Sequence, residues 1–260
     1  MRFILKRPLL RGLYWFVRSP FSSYAAYCWY KERLAWSLRT NGKHSVIYGP
    51  FAGMLYTRHG SSISLPILLG SYELEIWPFL DDLEASKYDR VIDVGSAEGY
   101  FACGLARRLQ IPVLACDVDE TARKDCQEMV ELNGLEDLVE IHGRLTHSEL
   151  QSLCVSSNTL LFCDIEGAEA DLLDPMLVPS LTKTDMLVEI HGSISSNTFP
   201  VLESRFRDTH DLHIAKKQPR FPEVMEAAIE GSLELDEPMV LAFTETRGFK
   251  EWVFFRARSR

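Results

Sequence analysis

Hydrophobic and polar positions alternate in regular blocks from Arg90 onward, and these blocks predict strands separated by helices. Five apolar runs have the length and composition of buried strands: 90–96, 113–119, 139–143, 159–167 and 185–192. Helical spacing of apolar residues predicts helices between them at 100–110, 121–134, 147–154 and 168–181. A partly helical return at 197–208 and two further strands at 211–217 and 251–258 follow. Buried strands joined by helices of this length indicate right-handed βαβ units, so we expect an α/β fold with a doubly wound, mostly parallel seven-stranded sheet.

The first 86 residues follow a different pattern. Residues 1–41 have apolar positions at helical spacing beside a stripe of arginines, which predicts helix. Residues 46–56 predict two short strands around their glycines, and residues 65–86 predict one helix that is disturbed at Pro78. We therefore expect two domains, namely a helical and hairpin cap over 1–86 and a sheet domain over 87–260.

Charge is distributed unevenly between these two predicted domains. The chain has 28 Lys and Arg residues against 37 Asp and Glu, a net charge of −9. Residues 1–43 contain nine basic residues against Glu32 alone, so they carry about +8 and leave about −17 for the rest. An acidic sheet domain argues against nucleic acid as a partner, because phosphates require positive charge. The basic, aromatic segment 1–41 fits either a lid on the sheet domain or a contact with an anionic membrane surface, and both alternatives stay open.

Composition also limits the expected location. No apolar run approaches the roughly 18 residues of a membrane-spanning helix, and the N-terminal sequence has no small-residue cleavage site of a secretory signal. The six cysteines have neither a CxxC pair nor zinc-ligand spacing. These features predict a cytoplasmic protein, with peripheral contact at the inner face of the membrane if segment 1–41 binds lipid.

The turn after the first strand of the predicted sheet carries the strongest chemical signal. Gly95 and Gly99 allow a tight strand-to-helix turn ahead of a helix N-terminus. A dinucleotide site would have the spacing G-x-G-x-x-G, whereas this turn has G-x-x-x-G with Asp93 two residues before the first glycine. That carboxylate would repel a diphosphate but can accept a hydrogen bond from an ammonium group, as in a site for S-adenosylmethionine. A purely structural turn is the weaker alternative.

Two aspartates follow the second strand of the predicted sheet. Asp117 stands about twenty residues beyond the glycine turn, where a carboxylate can bind both hydroxyls of a ribose. A helix N-cap is its alternative role. At Asp119 the cap is the favoured interpretation, because Thr121 and the next helix follow directly. We favour the ribose contact at Asp117.

The ends of the fourth and fifth strands bring acidic groups and a histidine to the same edge of the predicted sheet. Asp164 follows the fourth strand, and Glu189 and His191 share one face at the end of the fifth. Such groups can take a proton from a substrate hydroxyl, or hold a hard cation that activates it. His191 is equally well explained as a hydrogen-bonded structural residue, so both interpretations stay open. Glu166 and Glu169 are more simply interpreted as charges in the first turn of the following helix.

Five sequence blocks together carry a family resemblance that covers residues 89–258. The blocks are DVGSAEGYF, ACDVDE, DIEGAE, LVEIHG and EWVFFRAR. In this order and spacing the chain resembles class I S-adenosylmethionine-dependent methyltransferases, and more narrowly the FkbM-like group. One position departs from that group, which often has Asn where this chain has Ala97. An amide contact to the cofactor is therefore missing or moved here.

The resemblance implies a Rossmann-like fold, a cofactor and a reaction. The reaction is O-methylation, often of sugar or polyketide hydroxyls, and some sugar methyltransferases that the chain resembles use a divalent metal. The resemblance assigns Asp93, Gly95 and Gly99 to the methionine part of S-adenosylmethionine, Asp117 to its ribose and Asp164 to the reaction edge. The expected cofactor contacts as a whole are Asp93, Gly95, Ser96, Glu98, Gly99, Tyr100, Asp117 and Asp164.

These features predict an S-adenosylmethionine-dependent O-methyltransferase that acts on a saccharide, a lipid-linked glycan or a similar small molecule. His191 is the expected base, with Asp164 and Glu189 orienting it or binding a divalent cation. Residues 220–250 are expected to form part of the acceptor pocket. Two alternatives remain. One is an NAD(P)-dependent oxidoreductase, which Asp93 and the glycine spacing oppose, and the other is a non-catalytic protein that binds S-adenosylmethionine.

Overall fold

The computed structural model describes residues 39–40, 43–57, 64–191, 197–216 and 251–258. These residues fall into two compact units: the first ends at Tyr72 and the second begins at Glu73. We call them the hairpin unit and the sheet unit. The predicted domain boundary after residue 86 stays a prediction. The helix predicted before residue 39 and the acceptor pocket predicted over 220–250 lie outside the described residues.

The hairpin unit contains a small antiparallel sheet. Its strands are β1 (Arg39–Thr40), β2 (Lys43–Ser45) and β3 (Leu55–Tyr56), paired in that order. The turn between β2 and β3 is closed by backbone hydrogen bonds of 2.8 Å from Val46 to Met54 and 2.7 Å from Gly53 to Val46. The two strands predicted within 46–56 are confirmed only in part. Strand β3 lies at the end of that segment, but its partner β2 ends at Ser45, before the segment begins.

Strand β1 contradicts the helix that was predicted to continue through residue 41. Arg39 lies opposite His44 of β2, so the backbone of β1 pairs with a neighbouring strand instead of forming helical hydrogen bonds. The two strands are joined by only two residues, so this hairpin pairing is local, and it replaces the helical backbone predicted for residues 39 and 40.

The single helix predicted over 65–86 is wrong. The segment instead forms α1 (Ser64–Leu69), a 3₁₀ turn (Leu74–Ile76), α2 (Trp77–Asp81) and a second 3₁₀ turn (Ala85–Lys87). The chain leaves α1 at Gly70, which has a φ of 80° and lies so close to the backbone of Tyr48 that a Cβ would be 1.8 Å from its carbonyl oxygen. Pro78 does not disturb a helix, because it lies in the first turn of α2, where its missing N–H leaves no hydrogen bond unmade.

The sheet unit is built on seven strands in the order β6-β5-β4-β7-β8-β10-β9. They are β4 (Arg90–Val94), β5 (Val113–Cys116), β6 (Val139–His142), β7 (Thr159–Cys163), β8 (Asp185–Ile190), β9 (His210–Ile214) and β10 (Glu251–Ala257). The first five in sequence pair in parallel, and β10 pairs antiparallel with both β8 and β9. The predicted α/β fold with a mostly parallel seven-stranded sheet is confirmed.

After β4, the described residues of the sheet unit form five helices. They are α3 (Tyr100–Leu109), α4 (Glu120–Asn133), α5 (His147–Ser156), α6 (Glu169–Leu172) and α7 (Thr198–Phe206). The helix predicted over 168–181 is wrong, because α6 is a single turn. Pro175 and Pro179 disfavour helical backbone in the residue before each of them, and the Asp174 side chain accepts a 2.8 Å hydrogen bond from the Met176 amide instead. The chain then makes a 3₁₀ turn at Pro179–Lys183.

The order of the strands reverses beside β4, with β5 on one side and β7 on the other. In doubly wound sheets, ligands bind at the carboxyl ends of the strands at such a reversal. Fully buried apolar side chains such as Ile92, Leu161 and Val188 fill the core around these central strands. No helix in the described part of the chain combines the length and apolar composition needed to cross a membrane.

Candidate active site

The turn between β4 and α3, residues 95–99, is shaped by two glycines with left-handed backbone. Gly95 has a φ of 85° and Gly99 a φ of 88°. A Cβ at Gly95 would lie 1.7 Å from the carbonyl oxygen of Asp164, and one at Gly99 would lie 2.7 Å from the sulfur of Cys126. The protein itself therefore requires glycine at both positions, in addition to any approach of a ligand.

Asp93 lies at the carboxyl end of β4 with 1% of its surface exposed. Its Oδ2 atom and the Oγ atom of Ser96, which is also buried, have no hydrogen-bond partner among the described residues. Burial and, to a smaller extent, the charge of Asp117 raise the pKa of Asp93 to about 7, against the opposing effect of a hydrogen bond from the Ala102 amide. Buried polar atoms are rarely left without a partner, so these two atoms mark a place where a ligand donor can bind.

Asp117 follows β5 and binds the neighbouring turn through its backbone. Its Oδ2 accepts a 2.9 Å hydrogen bond from the Ala97 amide, and its Oδ1 accepts a 2.8 Å hydrogen bond from the Asp119 amide. Each carboxylate oxygen keeps a second lone pair, so a ribose contact remains chemically open. Asp119 accepts from the Thr121 amide at 2.8 Å and is the N-cap of α4, which confirms the cap predicted there.

Other groups around the turn complete the predicted cofactor site. Glu98 is half-buried, and the buried Tyr100 begins α3 with its ring 5.1 Å from that of Phe101 in an edge-on arrangement. Val118, which sequence reasoning did not select, is 67% exposed directly after Asp117. Its aliphatic surface is available to a flat apolar group beside the carboxylate.

His191, at the end of β8, lies among four carboxylates. Its Nδ1 atom is 2.7 Å from Glu169, and its Nε2 atom is 3.0 Å from Glu166, 3.5 Å from Asp164 and 3.7 Å from Glu189. We call these five residues the histidine cluster. The structure thus brings together the three residues predicted for catalysis, Asp164, Glu189 and His191.

Glu169 and Glu166 were interpreted from the sequence as charges in the first turn of a helix, and the structure confirms this position for Glu169 but not for Glu166. Glu169 is fully buried, and its Oε1 atom also accepts a 3.0 Å hydrogen bond from the Gly167 amide. Glu166 is 80% exposed and precedes α6, with a φ of 53°. The run of acidic residues after β7 was the only sign of this arrangement in the sequence. The fold shows that both side chains contact His191.

The electrostatics of the histidine cluster favour a proton or a cation. Burial raises the pKa of Asp164, and the adjacent Glu189 raises it further. With Glu169 on Nδ1, the Nε2 atom of His191 is the nitrogen that faces the other three carboxylates. Asp164, Glu166 and His191 each place one potential ligand atom within 4.8 Å of the others, which is the kind of set a divalent cation binds.

Glu73 is a further carboxylate that sequence reasoning placed in a helix of the cap. It is fully buried, has a φ of 50°, and accepts a 2.9 Å hydrogen bond from the Trp252 indole. Trp252 lies opposite Glu189 in the β8–β10 ladder, and the charge of Glu73 contributes to the raised pKa of Asp164. The acidic character of this edge therefore extends beyond the predicted residues.

Known proteins similar to this chain are methyltransferases. A 58-residue stretch is 47% identical to the ribosomal protein L11 methyltransferase of Desulforamulus reducens. That stretch covers 22% of this chain and 19% of the relative, so the match spans about a fifth of the relative's length. No protein-family model matches the chain.

Several solved structures are also similar. The human methyltransferase 10 domain containing protein has a TM-score of 0.48 and 13% identity, over 88% of this chain and 97% of that one. An O-methyltransferase from Bacillus cereus in complex with SAH has a TM-score of 0.44 and 13% identity, over 76% and 80%. A methyltransferase from Geobacter sulfurreducens has a TM-score of 0.42 and 16% identity, over 78% and 80%. At this level of identity the similarities do not by themselves assign an activity to the chain.

Proposed function

We propose that this protein is an S-adenosylmethionine-dependent methyltransferase that transfers the methyl group to a hydroxyl. The observation that carries the proposal is the buried carboxylate of Asp93, which keeps an oxygen without a partner among the described residues at the carboxyl end of β4. A carboxylate in that position suits an ammonium group and opposes a diphosphate. The resemblance to the FkbM-like group supports transfer to a hydroxyl, and the relative that shares 47% identity over 58 residues supports methyl transfer in general.

The residues around the turn fit the proposed cofactor. Asp93 and Ser96 can accept hydrogen bonds from an ammonium group, the remaining lone pairs of Asp117 can accept from ribose hydroxyls, and Val118 offers an apolar surface for a purine. When bound, S-adenosylmethionine supplies a methyl group that is already activated by a positively charged sulfur.

His191 is the proposed base. Its Nε2 atom accepts the proton of the acceptor hydroxyl, while the Glu169 carboxylate on Nδ1 stabilises the imidazolium that forms. A positioned base contributes about 10² to 10⁴ in rate. We expect His191→Ala to lower kcat at least about 100-fold and to leave cofactor affinity unchanged. Unchanged turnover would remove His191 from this role.

Calorimetry with S-adenosylhomocysteine tests the cofactor directly. Because the pKa of Asp93 is raised to about 7, its carboxylate becomes protonated below that pH, and affinity should fall about fivefold from pH 7 to pH 6. Asp93→Asn should bind weakly at both pH values. Tight binding by Asp93→Asn, or binding of NADH in place of S-adenosylhomocysteine, contradicts the proposal.

A divalent cation is a second candidate component of this site, favoured by the ligand atoms of Asp164, Glu166 and His191. Two carboxylates and an imidazole suit such an ion, which when bound would make an acceptor hydroxyl more acidic. Elemental analysis of the purified protein before and after dialysis against a chelator tests it. Full activity after complete metal removal would exclude a required cation.

The acceptor is proposed to be a hydroxyl of a saccharide or a lipid-linked glycan, following the family resemblance. The relative that shares 47% identity over 58 residues is named for a ribosomal protein, so a protein acceptor is the competing class. Transfer of labelled methyl groups to sugars, lipid-linked oligosaccharides and ribosomal proteins distinguishes these classes. Cofactor binding without transfer to any of them would favour a non-catalytic protein.

A further inference from the structure

The single turn α6 carries Glu169 but has little that stabilises it locally. Its N-cap, Ala168, makes no side-chain hydrogen bond. The two residues before the cap have left-handed backbone, with φ of 53° at Glu166 and 104° at Gly167. A helix of one turn is unfavourable by itself in water. Contacts from other elements must therefore hold α6 in place.

Arg205 of α7 binds the C-terminal end of α6. Its Nη1 atom donates to the carbonyl oxygen of Ala170 and, at 3.2 Å, to that of Leu173, and its Nη2 atom donates to Asp174 Oδ2 at 2.9 Å. The last carbonyl groups of a helix have no partner within the helix, and Arg205 supplies one from outside. A planar guanidinium donates from two separate nitrogens in a fixed geometry, whereas a lysine donates from a single nitrogen and cannot reproduce that spacing.

His147, at the start of α5, provides a second contact with the same end of α6. Its Nε2 atom lies 2.9 Å from the carbonyl oxygen of Asp171. Leu173, directly after α6, is fully buried in the core of the sheet unit. Three separate contacts thus locate a four-residue helix, and Arg205 makes the largest number of hydrogen bonds among them.

The position of α6 matters because Glu169 is the residue that contacts the Nδ1 atom of His191, at 2.7 Å. A carboxylate at that nitrogen keeps its proton there, so the lone pair is on Nε2, the nitrogen that faces the other three carboxylates of the cluster. If α6 moved, the imidazole would lose this constraint and both tautomers would become populated.

We propose that Arg205 is a positioning residue, which keeps the carboxylate of Glu169 on the Nδ1 atom of His191 by binding the C-terminal carbonyl groups of α6. The consequence for turnover rests on the proposed function. The consequence for the imidazole does not, because it concerns the protein without substrate.

Nitrogen-15 NMR of the full chain with labelled histidine tests the proposal. The chain has seven histidines, and His191→Asn identifies the signals of His191 by their loss. In the wild-type protein the proton should stay on Nδ1. In Arg205→Gln the ratio of the Nε2–H to the Nδ1–H tautomer should rise about tenfold, because a charge-assisted hydrogen bond is lost. Arg205→Lys should give a smaller rise.

Arg258→Gln is the matched control. Arg258 also donates to a carboxylate and a carbonyl, Asp211 at 2.9 Å and Asp208 at 3.2 Å, but it contacts no residue of the histidine cluster among those described. Its substitution should leave the His191 tautomer ratio unchanged. An unchanged ratio in folded Arg205→Gln or Arg205→Lys overturns the proposal, and Arg205→Lys decides it if the glutamine variant does not fold.

Kinetics supply a second readout. Arg205→Gln should lower kcat by about tenfold, with the KM for S-adenosylmethionine unchanged, because the base is misplaced while the turn at Asp93 is intact. If the wild-type protein transfers no methyl group to any acceptor, the proposed function fails and the NMR result still decides the role of Arg205.

Discussion

The turn at Asp93 and the histidine cluster lie at the same edge of one sheet and contain similar side chains, but they are built differently. The turn is local in sequence: its carboxylate, glycines and helix N-terminus lie within 93–102, and its amides donate hydrogen bonds to Cys116 and Asp117 at the end of β5. The cluster combines the ends of β7 and β8 with α6. Asp93 and Glu169 each keep one buried oxygen without a hydrogen-bond partner among the described residues, but the other oxygen of Glu169 binds an imidazole, whereas Asp93 is bound by a backbone amide. The first arrangement is suited to receive a cationic ligand, and the second to hold and release a proton.

Gly95 of the turn packs against the backbone of Asp164, a member of the histidine cluster. Its substitution should therefore have the largest effect on stability. In Gly95→Ala the new Cβ would overlap the carbonyl oxygen of Asp164 at 1.7 Å, and the left-handed backbone adds strain. We expect the free energy of unfolding to fall by more than about 4 kcal/mol, measured by urea denaturation. Gly143→Ala is the control, because nothing lies within 4 Å of its Cβ position. Equal stability of the two variants would show that the two regions are not in contact.

Asp93→Asn should change cofactor affinity and stability in opposite directions, weakening the binding of S-adenosylhomocysteine while raising the free energy of unfolding. The pKa of Asp93 is raised to about 7 in the folded protein, so the folded state binds the proton more tightly than the unfolded state between about pH 4 and 7. The free energy of unfolding of the ligand-free protein therefore falls as the pH rises through that window. Asparagine does not titrate, and we expect Asp93→Asn to be more stable than wild type by up to about 4 kcal/mol at pH 8 and similar at pH 4. Denaturation at both pH values checks this, and a variant that is less stable at pH 8 would contradict it.

Glu169 and Glu166 contact the same imidazole, but Glu169 is buried and Glu166 is exposed. The catalytic effects of the two carboxylates can therefore be compared directly. Glu169→Gln removes a buried charge, and we expect kcat to fall by about 10- to 100-fold. Glu166→Gln removes an exposed charge, and we expect less than about a threefold change. Steady-state kinetics of the two variants measure the difference. A large loss in Glu166→Gln together with lower metal content would instead favour the divalent cation.

Substitution of Ala97 should have the smallest effect on stability of these changes, and it should leave the histidine cluster unchanged. The φ of 46° at Ala97 lies in the left-handed region, which is unfavourable for alanine. Glycine adopts this region because it has no Cβ, and asparagine adopts it more readily than alanine does. Ala97→Asn should raise the free energy of unfolding by up to about 1 kcal/mol. Gln110→Gly, at a φ of 56° after α3, is the control away from the turn. If only the control variant gains stability, contacts at Ala97 outweigh the backbone strain.

Much of the sheet unit could be predicted because its signals are local. Buried strands between helices defined the order of elements, and Gly134 ended α4 as expected, with a φ of 63°. Asp93 and Asp117 could be selected because a carboxylate near a strand end falls at the ligand-binding edge of such a sheet. The single helix predicted over 65–86 was wrong because the backbone at Gly70 depends on a distant residue, Tyr48.

The sequence by itself determined the fold class and the positions of polar residues at strand ends, because both follow from patterns that repeat within a few residues. It did not determine that Glu169 is buried on His191, or that Arg205 holds α6 from another helix. These features depend on contacts between residues more than twenty positions apart. Only the packing of β7, β8, α6 and α7 decides which of the nearby carboxylates binds each nitrogen of the imidazole.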